Sequence, residues 1–319
     1  MSTAPDLLRH FGGCPVGMEG VQPADVRWVY SSATAAPYQN LKDYADRTKL
    51  HSTFTAAETA ATTGRNEIIY VTPENHTLAA AVDFDLNNTH VVGMSPLVKG
   101  YNPAYFSHTC DQDVLFTVSG NNNSFSNIRI LHGGNSATNA HAMEVTGSNN
   151  SFYNCHFEGP ETAAEKAVAG YDLVKLTGEY SYFKDCMFGN TWATMTQTSA
   201  LLGFTGNNSP SAVFEDCVFQ KNAGIVSSLF IHIYQAMNNG THIHFRNCMF
   251  VNLGTTTQTY GVDGYGLSNA QSRLTFHNCS FTGCTDVVSS TYEAKVWIGP
   301  TVYHADALQN GLAANPDVS

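Results

Sequence analysis

Acid–base cleavage of a glycosidic bond needs two carboxyl groups about 5–10 Å apart. A divalent metal needs several His, Cys or carboxylate groups converging on one point. The 319-residue chain offers few candidates for either. Asp83-Phe-Asp85 and Asp111-Gln-Asp113 are alternating acidic pairs, readable as weak cation sites or as solvated turns. His242-Ile-His244 places two imidazoles on one strand face, with His232 nearby in sequence and no third ligand evident. Glu144 and Lys175 are the weak acid–base candidates, with Asp172 and Glu179 at the flanks. Motifs of the GxGxxG, P-loop, GxSxG, HExxH and CxxC kinds are absent, so no cofactor and no structural metal is expected.

Such residues are positioned by a repeat. Six segments align without gaps: FSNIRI from Phe125, FYNCHF from Phe152, FKDCMF from Phe183, FEDCVF from Phe214, FRNCMF from Phe245 and FHNCSF from Phe276. Their spacings are 27, 31, 31, 31 and 31 residues. Most copies follow a second apolar stretch ending in a Gly/Asn turn, as in VLFTVSGNN (114–122) and LLGFTGNN (201–208). Each unit therefore reads as strand, turn, strand and variable loop. No helical period separates the strands, so coils stacked at about 4.8 Å fit better than alternating helices and strands.

Within a unit the first Phe and the following Cys are three residues apart, an odd step that strand alternation cannot place on one face. The chain must bend between them. The residue there is Asn127, Asn154, Asp185, Asp216, Asn247 or Asn278, and Asn and Asp tolerate left-handed backbone best among non-glycine residues. Asp185 and Asp216 would lie about 5 Å apart in consecutive coils. They could form a carboxylate pair, although a structural place in the bend is the simpler reading. The Phe columns and Cys155, Cys186, Cys217, Cys248 and Cys279 are expected to face inward, the cysteines as reduced apolar residues. In the strand before the turn, the outward column is Thr117, Glu144, Lys175, Gly203 and His232, with a single carboxylate.

This pattern resembles the right-handed parallel β-helix of the pectate-lyase-like superfamily over about residues 55–300. The resemblance implies an all-β solenoid, an Asn ladder at the bend and an N-terminal capping helix. Thr55-Ala-Ala-Glu58 fits a capping box, so TAAETAATTG (55–64) reads as that helix. EIIYVTPENHTL (67–78) reads as one apolar strand, and NNTHVVGM (87–94) as an early, degenerate coil. KVWIGPTVY (295–303) reads as a strand, and residues 301–319 as a C-terminal cap and tail with a short helical turn. Residues 1–54 carry Gly12, Gly13, Pro15, Gly17 and Gly20 and read as an extended arm, folded back on its own solenoid or docked on a neighbour.

Composition narrows the function. Lys+Arg number 15 against 26 Asp+Glu, for a net charge of −11, with no basic cluster in sequence. Nucleic-acid binding is therefore not expected, and no apolar run is long enough for a membrane span. The start lacks the apolar stretch of a signal peptide. The excess acid lies in residues 55–319, because residues 1–54 hold five basic and five acidic groups. One outward column is apolar at Met187, Val218 and Met249, where either loops or another molecule must cover it.

With Trp28, Tyr30 and Tyr38 of the arm, these three are the candidate interface residues. The low charge, neutral arm and capped solenoid resemble β-helical structural proteins of tailed bacteriophages. That resemblance implies a capsid decoration or other head- or tail-surface protein. It would dock through its arm on a scaffold such as the major capsid protein or neighbouring subunits, with homo-oligomers possible and the virion as its location. Two alternatives share the fold. One is a polysaccharide lyase, hydrolase or tailspike-like depolymerase. The other is a glycan-binding adhesin using Trp192, Tyr260, Tyr265 and Tyr292.

Overall fold

The computed structural model describes residues 25–34, 36–42, 45–94, 104–108, 114–133, 141–160, 166–167, 169–190, 194–197, 199–205, 211–234, 242–263, 273–288, 296–299, 303–305 and 313–314. Asp111, Asp113, Trp192, Tyr265, Tyr292 and residues 1–24 lie outside them. The described chain is an all-β solenoid of three long sheets. Each regular coil contributes one strand to sheet III, then sheet I, then sheet II, as in Tyr171–Leu176, Ser181–Lys184 and Met187–Phe188. Neighbouring coils pair in parallel, in the register of the repeat: Phe152 opposite Phe183, and Phe183 opposite Phe214. An antiparallel pair occurs at the C-terminal end, where Tyr303–Ala305 meets Ala313–Ala314, in the segment expected to hold a helical turn.

The core follows from the columns. The first Phe of each unit stacks on the next, with centroids 4.6 Å apart for Phe152–Phe183, 4.8 Å for Phe183–Phe214 and 4.7 Å for Phe214–Phe245. The second Phe column does the same, at 4.5 Å for Phe188–Phe219 and 4.6 Å for Phe219–Phe250. Burying each ring contributes about 1.5–3 kcal/mol, and a ring pair adds roughly 0.5–1.5 kcal/mol. Cys155, Cys186, Cys217, Cys248 and Cys279 are buried free thiols between these columns. Cys186 Sγ donates to the Phe152 carbonyl at 3.4 Å, one coil back.

The bend behaves as its residue types require. Asn127, Asn154, Asp185, Asp216, Asn247 and Asn278 all have φ between 48° and 57°. Asn278 Nδ2 donates to Asn247 Oδ1 (2.8 Å), and Asn247 Nδ2 to Asp216 Oδ1 (3.1 Å). Asp185 and Asp216 therefore belong to the ladder.

The N-terminal end departs from expectation. Val26–Val29 is a sheet I strand paired with Ile68–Val71, so the solenoid starts well before residue 55. Trp28 stacks on Tyr70 at 4.7 Å and is buried with Leu41, Ile68 and Val92. Over residues 25–54 the arm is thus spent on its own solenoid, and Trp28 is not a free interface residue. Tyr30 packs on Tyr38 at 4.4 Å instead of standing alone.

The capping helix spans Phe54–Ala60, with Thr53 as its N-cap rather than Thr55; Thr53 Oγ1 accepts from Ala56 N at 3.2 Å. That phase turns Phe54 inward onto Phe84, Phe106 and Phe116, which closes the core against water. Glu58 is buried with it and cannot complete a capping box. The stretch 67–78 is two strands, Ile68–Val71 in sheet I and Asn75–Leu78 in sheet II.

Candidate functional site

The outer face of sheet III gathers acidic and basic groups in one row. Register places Asp83, Thr117, Glu144, Lys175, Gly203, His232 and Asp263 in one row. Glu144 and Lys175 are adjacent, with Lys175 Nζ 3.1 Å from Glu144 Oε1. Two coils on, His232 Nε2 lies 3.5 Å from Asp263 Oδ2, with burial lowering the imidazole pKa more than Asp263 raises it. The sequence pattern ends this row at His232, and register adds Asp263, the last residue of the strand Gln258–Asp263.

Asp172 belongs to the same face although it sits at a strand end. Its carboxylate occupies the space that a side chain at Gly203 would fill: a Cβ there would lie 1.9 Å from Asp172 Oδ2. Gly203 is therefore small for a reason that the repeat pattern does not reveal. Asp172 is fully buried, and neither carboxylate oxygen has a hydrogen-bond partner among the described residues. Tyr234 is close enough to act on it electrostatically, but its hydroxyl donates to the Gly170 carbonyl at 2.8 Å. Burial raises the Asp172 pKa well above the usual carboxylate range, more than Tyr234, Lys175 and Lys221 lower it.

Lys221 is the buried cation nearby. Its Nζ donates to the carbonyls of Leu229 (2.7 Å) and Ser199 (3.2 Å). Burial lowers its pKa to about 7, partly offset by Asp172. A neutral amine keeps two N–H donors, enough for both carbonyls. The cleft beside it, lined by Gly159, Pro160, Tyr171, Asn190 and Leu201, measures about 10 Å³. That is room for roughly one water and not for a sugar.

The other candidates are dispersed. His242 and His244 stand on sheet I, their parallel rings 6.2 Å apart, and His244 Nδ1 meets Thr275 Oγ1 at 2.5 Å. His232 is on sheet III, so the three imidazoles do not converge on one ion. No group of three metal-ligating side chains occurs among the described residues.

The apolar column lies on sheet II, with Met187 opposite Val218 and Val218 opposite Met249. Its N-terminal continuation is polar: Arg129 lies over the Tyr105 ring (5.2 Å) and pairs with Glu158, while His156 is buried. Toward the C-terminal end the column opens. Met187 and Val218 are half-buried, and Met249 is 47% exposed, as is Leu253 at 43%.

No family model and no curated protein matches the sequence. Solved structures do match in shape. A pectin methylesterase in complex with a hexasaccharide superposes with a TM-score of 0.60 at 14% identity, over 88% of this chain and 90% of that one. The pectin methylesterase of Aspergillus niger gives 0.60 at 16%, over 93% and 91%. PemA of Erwinia chrysanthemi gives 0.59 at 14%, over 91% of each chain. At such identity the likeness is one of architecture: the chain is a right-handed parallel β-helix.

Proposed function

We propose that the chain is a structural virion protein of a tailed bacteriophage, a capsid decoration or related head- or tail-surface component. It docks on a protein scaffold, such as the major capsid protein or a neighbouring subunit. The observation that carries this reading is the Met187–Val218–Met249 column, an apolar stripe on the outer face of sheet II that is half-buried to exposed. Contiguous apolar surface of this kind marks interaction sites. In this reading the stripe docks together with the N-terminal arm, of which residues 1–24 lie outside the described residues.

The test is antibody labelling of purified particles by electron microscopy, with wild type and a Val218→Asp/Met249→Asp variant. Labelled particles are expected with wild type and not with the folded variant. Particles that carry the other head and tail proteins but no label overturn the proposal.

A carbohydrate-active enzyme is the second reading, favoured by the buried Asp172 acid beside the Glu144–Lys175 pair on sheet III. The neighbours of similar shape are pectin methylesterases. Methanol release from pectin, lost in Asp172→Asn and Glu144→Gln, would put this reading first; no release by the wild type removes it.

A further inference from the structure

Three side chains from consecutive coils meet at the N-terminal end of sheet I, away from the sheet II stripe and the sheet III acids. His90 opens the strand His90–Gly93 and Ser124 the strand Ser124–Ser126, and register sets the two opposite each other. Asn66 lies one coil earlier, just before the strand Ile68–Val71, in left-handed backbone (φ 58°). His90 Nε2 donates to Asn66 Oδ1 at 2.5 Å, and Ser124 Oγ lies 2.6 Å from His90 Nδ1. An amide oxygen only accepts, so Nε2 carries the ring hydrogen and Nδ1 keeps its lone pair for the Ser124 hydroxyl. Burial holds the His90 pKa below its ordinary value, so the ring is neutral at pH 7. All three residues remain partly open to solvent.

We propose that Ser124 is a nucleophile that takes the acyl group of a thioester, with His90 as its base and Asn66 as the positioning residue of that base. Ser124 Oγ attacks the thioester carbonyl carbon, and its proton passes to His90 Nδ1. The C–S bond then breaks, the sulfur takes that proton, and a thiol leaves. O-acyl-Ser124 and a neutral His90 remain. The backbone selects the leaving group. Ser124 N donates to the Thr89 carbonyl (3.1 Å), His90 N to that of Glu67 (2.8 Å) and Ser151 N to that of Asn123 (2.9 Å), while Thr89 N donates to Asn123 Oδ1 (2.9 Å). These N–H groups are taken, so they form no oxyanion hole. The Ser151 hydroxyl, opposite Ser124 on the next coil, is left to meet an oxyanion. One hydroxyl does less than a pair of aimed N–H groups. A thiol, far more acidic than an alcohol, leaves with little such help; an alkoxide does not. Water is slow to cleave the acyl-serine for the same reason, because that product is itself an alkyl ester, and the acyl group stays on Ser124.

The probe is a small acetyl thioester, S-acetyl-N-acetylcysteamine, with methyl acetate as the alkyl-ester comparison. The full chain is incubated with each, hydroxylamine clears acetyl groups from thiols, and peptide mass spectrometry follows the acetyl group on Ser124 over time. Acetyl-Ser124 is expected with the thioester and not with methyl acetate. His90→Gln should slow labelling roughly 100-fold or more. Asn66→Gly, which suits the left-handed backbone but removes the acceptor, should slow it roughly tenfold or more. Asn66→Asp keeps an acceptor and should restore most of the rate. Unchanged melting temperatures verify the fold of each variant. An unlabelled Ser124 in the wild type overturns the proposal, as does labelling that is as fast in His90→Gln. Equal rates in Asn66→Gly and Asn66→Asp remove Asn66 from its positioning role. Methyl acetate labelling Ser124 as quickly as the thioester overturns the choice of acyl donor.

Discussion

The corner between sheets I and II and the corner between sheets II and III solve the same problem differently. Both must turn the chain through the solenoid's edge once per coil. The first does it with one residue, in left-handed backbone, between identical Phe and Cys columns. The second uses loops of varied length and buries Asp172, Lys221, His132 and Gln258 beneath them. Where each coil repeats its neighbour, like stacks on like and no charge needs to be buried. Where the coils differ, polar side chains staple loops to the sheets. Lys221 ties Ser199 to Leu229, and Asn252 Nδ2 donates to the Thr256 and Gly283 carbonyls at 2.8 and 3.0 Å.

That contrast can be broken at several points. Phe214→Ala removes a ring that stacks on both Phe183 and Phe245, and a loss of about 3–5 kcal/mol is expected in denaturant unfolding. A loss near zero would mean that the stacks are not what holds the regular corner.

Lys221 sharpens the other side. Its folded pKa of about 7 lies below the ordinary value of 10.5, so between those pH values the unfolded chain binds more protons. The Lys221 contribution to stability should therefore grow with pH from 7 to above 10, by an amount on the order of a few kcal/mol, while the buried thiols, their pKa values raised by burial, act in the opposite direction above about 8.5. Lys221→Met should remove the rising contribution, so that its stability falls more steeply with pH than that of the wild type in melts at a series of pH values. Equal slopes in both proteins would show that the amine is not held dry.

Gly203→Ala places a methyl against the Asp172 carboxylate and should cost about 1–3 kcal/mol. Adding Asp172→Ala should recover part of it, whereas independent, additive effects would separate the two residues. The smallest expected change is a gain. Asp216→Asn gives the ladder an N–H donor toward Asp185 and removes a like charge one coil away, worth about 1 kcal/mol or less. A loss instead would mean that the two carboxylates are held together by something other than the ladder.

How much was legible follows from the same contrast. The Phe, Cys and Asn/Asp columns were readable because strand alternation and one fixed spacing leave a single way to stack them. The row Thr117–Glu144–Lys175–Gly203–His232 was readable for the same reason. Asp172, Tyr234 and Lys221 were not, because their proximity depends on how loops of unequal length fold over the sheet. The N-cap was misplaced by two residues because Thr53 and Thr55 are equally good caps, and only the need to bury Phe54 decides between them. The entry of Val26–Val29 into sheet I was hidden by the Gly- and Pro-rich sequence before it. Three apolar residues around Arg27, without a turn motif, look no different from a loop.

The cysteine column has a use that its burial conceals. One reduced thiol sits in each of five successive coils, at one place in the cross-section. Burial raises the pKa of Cys186 and Cys217 well above that of a free thiol, so reaction with an alkylating agent requires the coil to open first. A pulse of reagent followed by peptide mass spectrometry would read the opening frequency of each coil separately. The protein thus contains a ruler along its own axis, which would show whether unzipping starts at one end or in the middle.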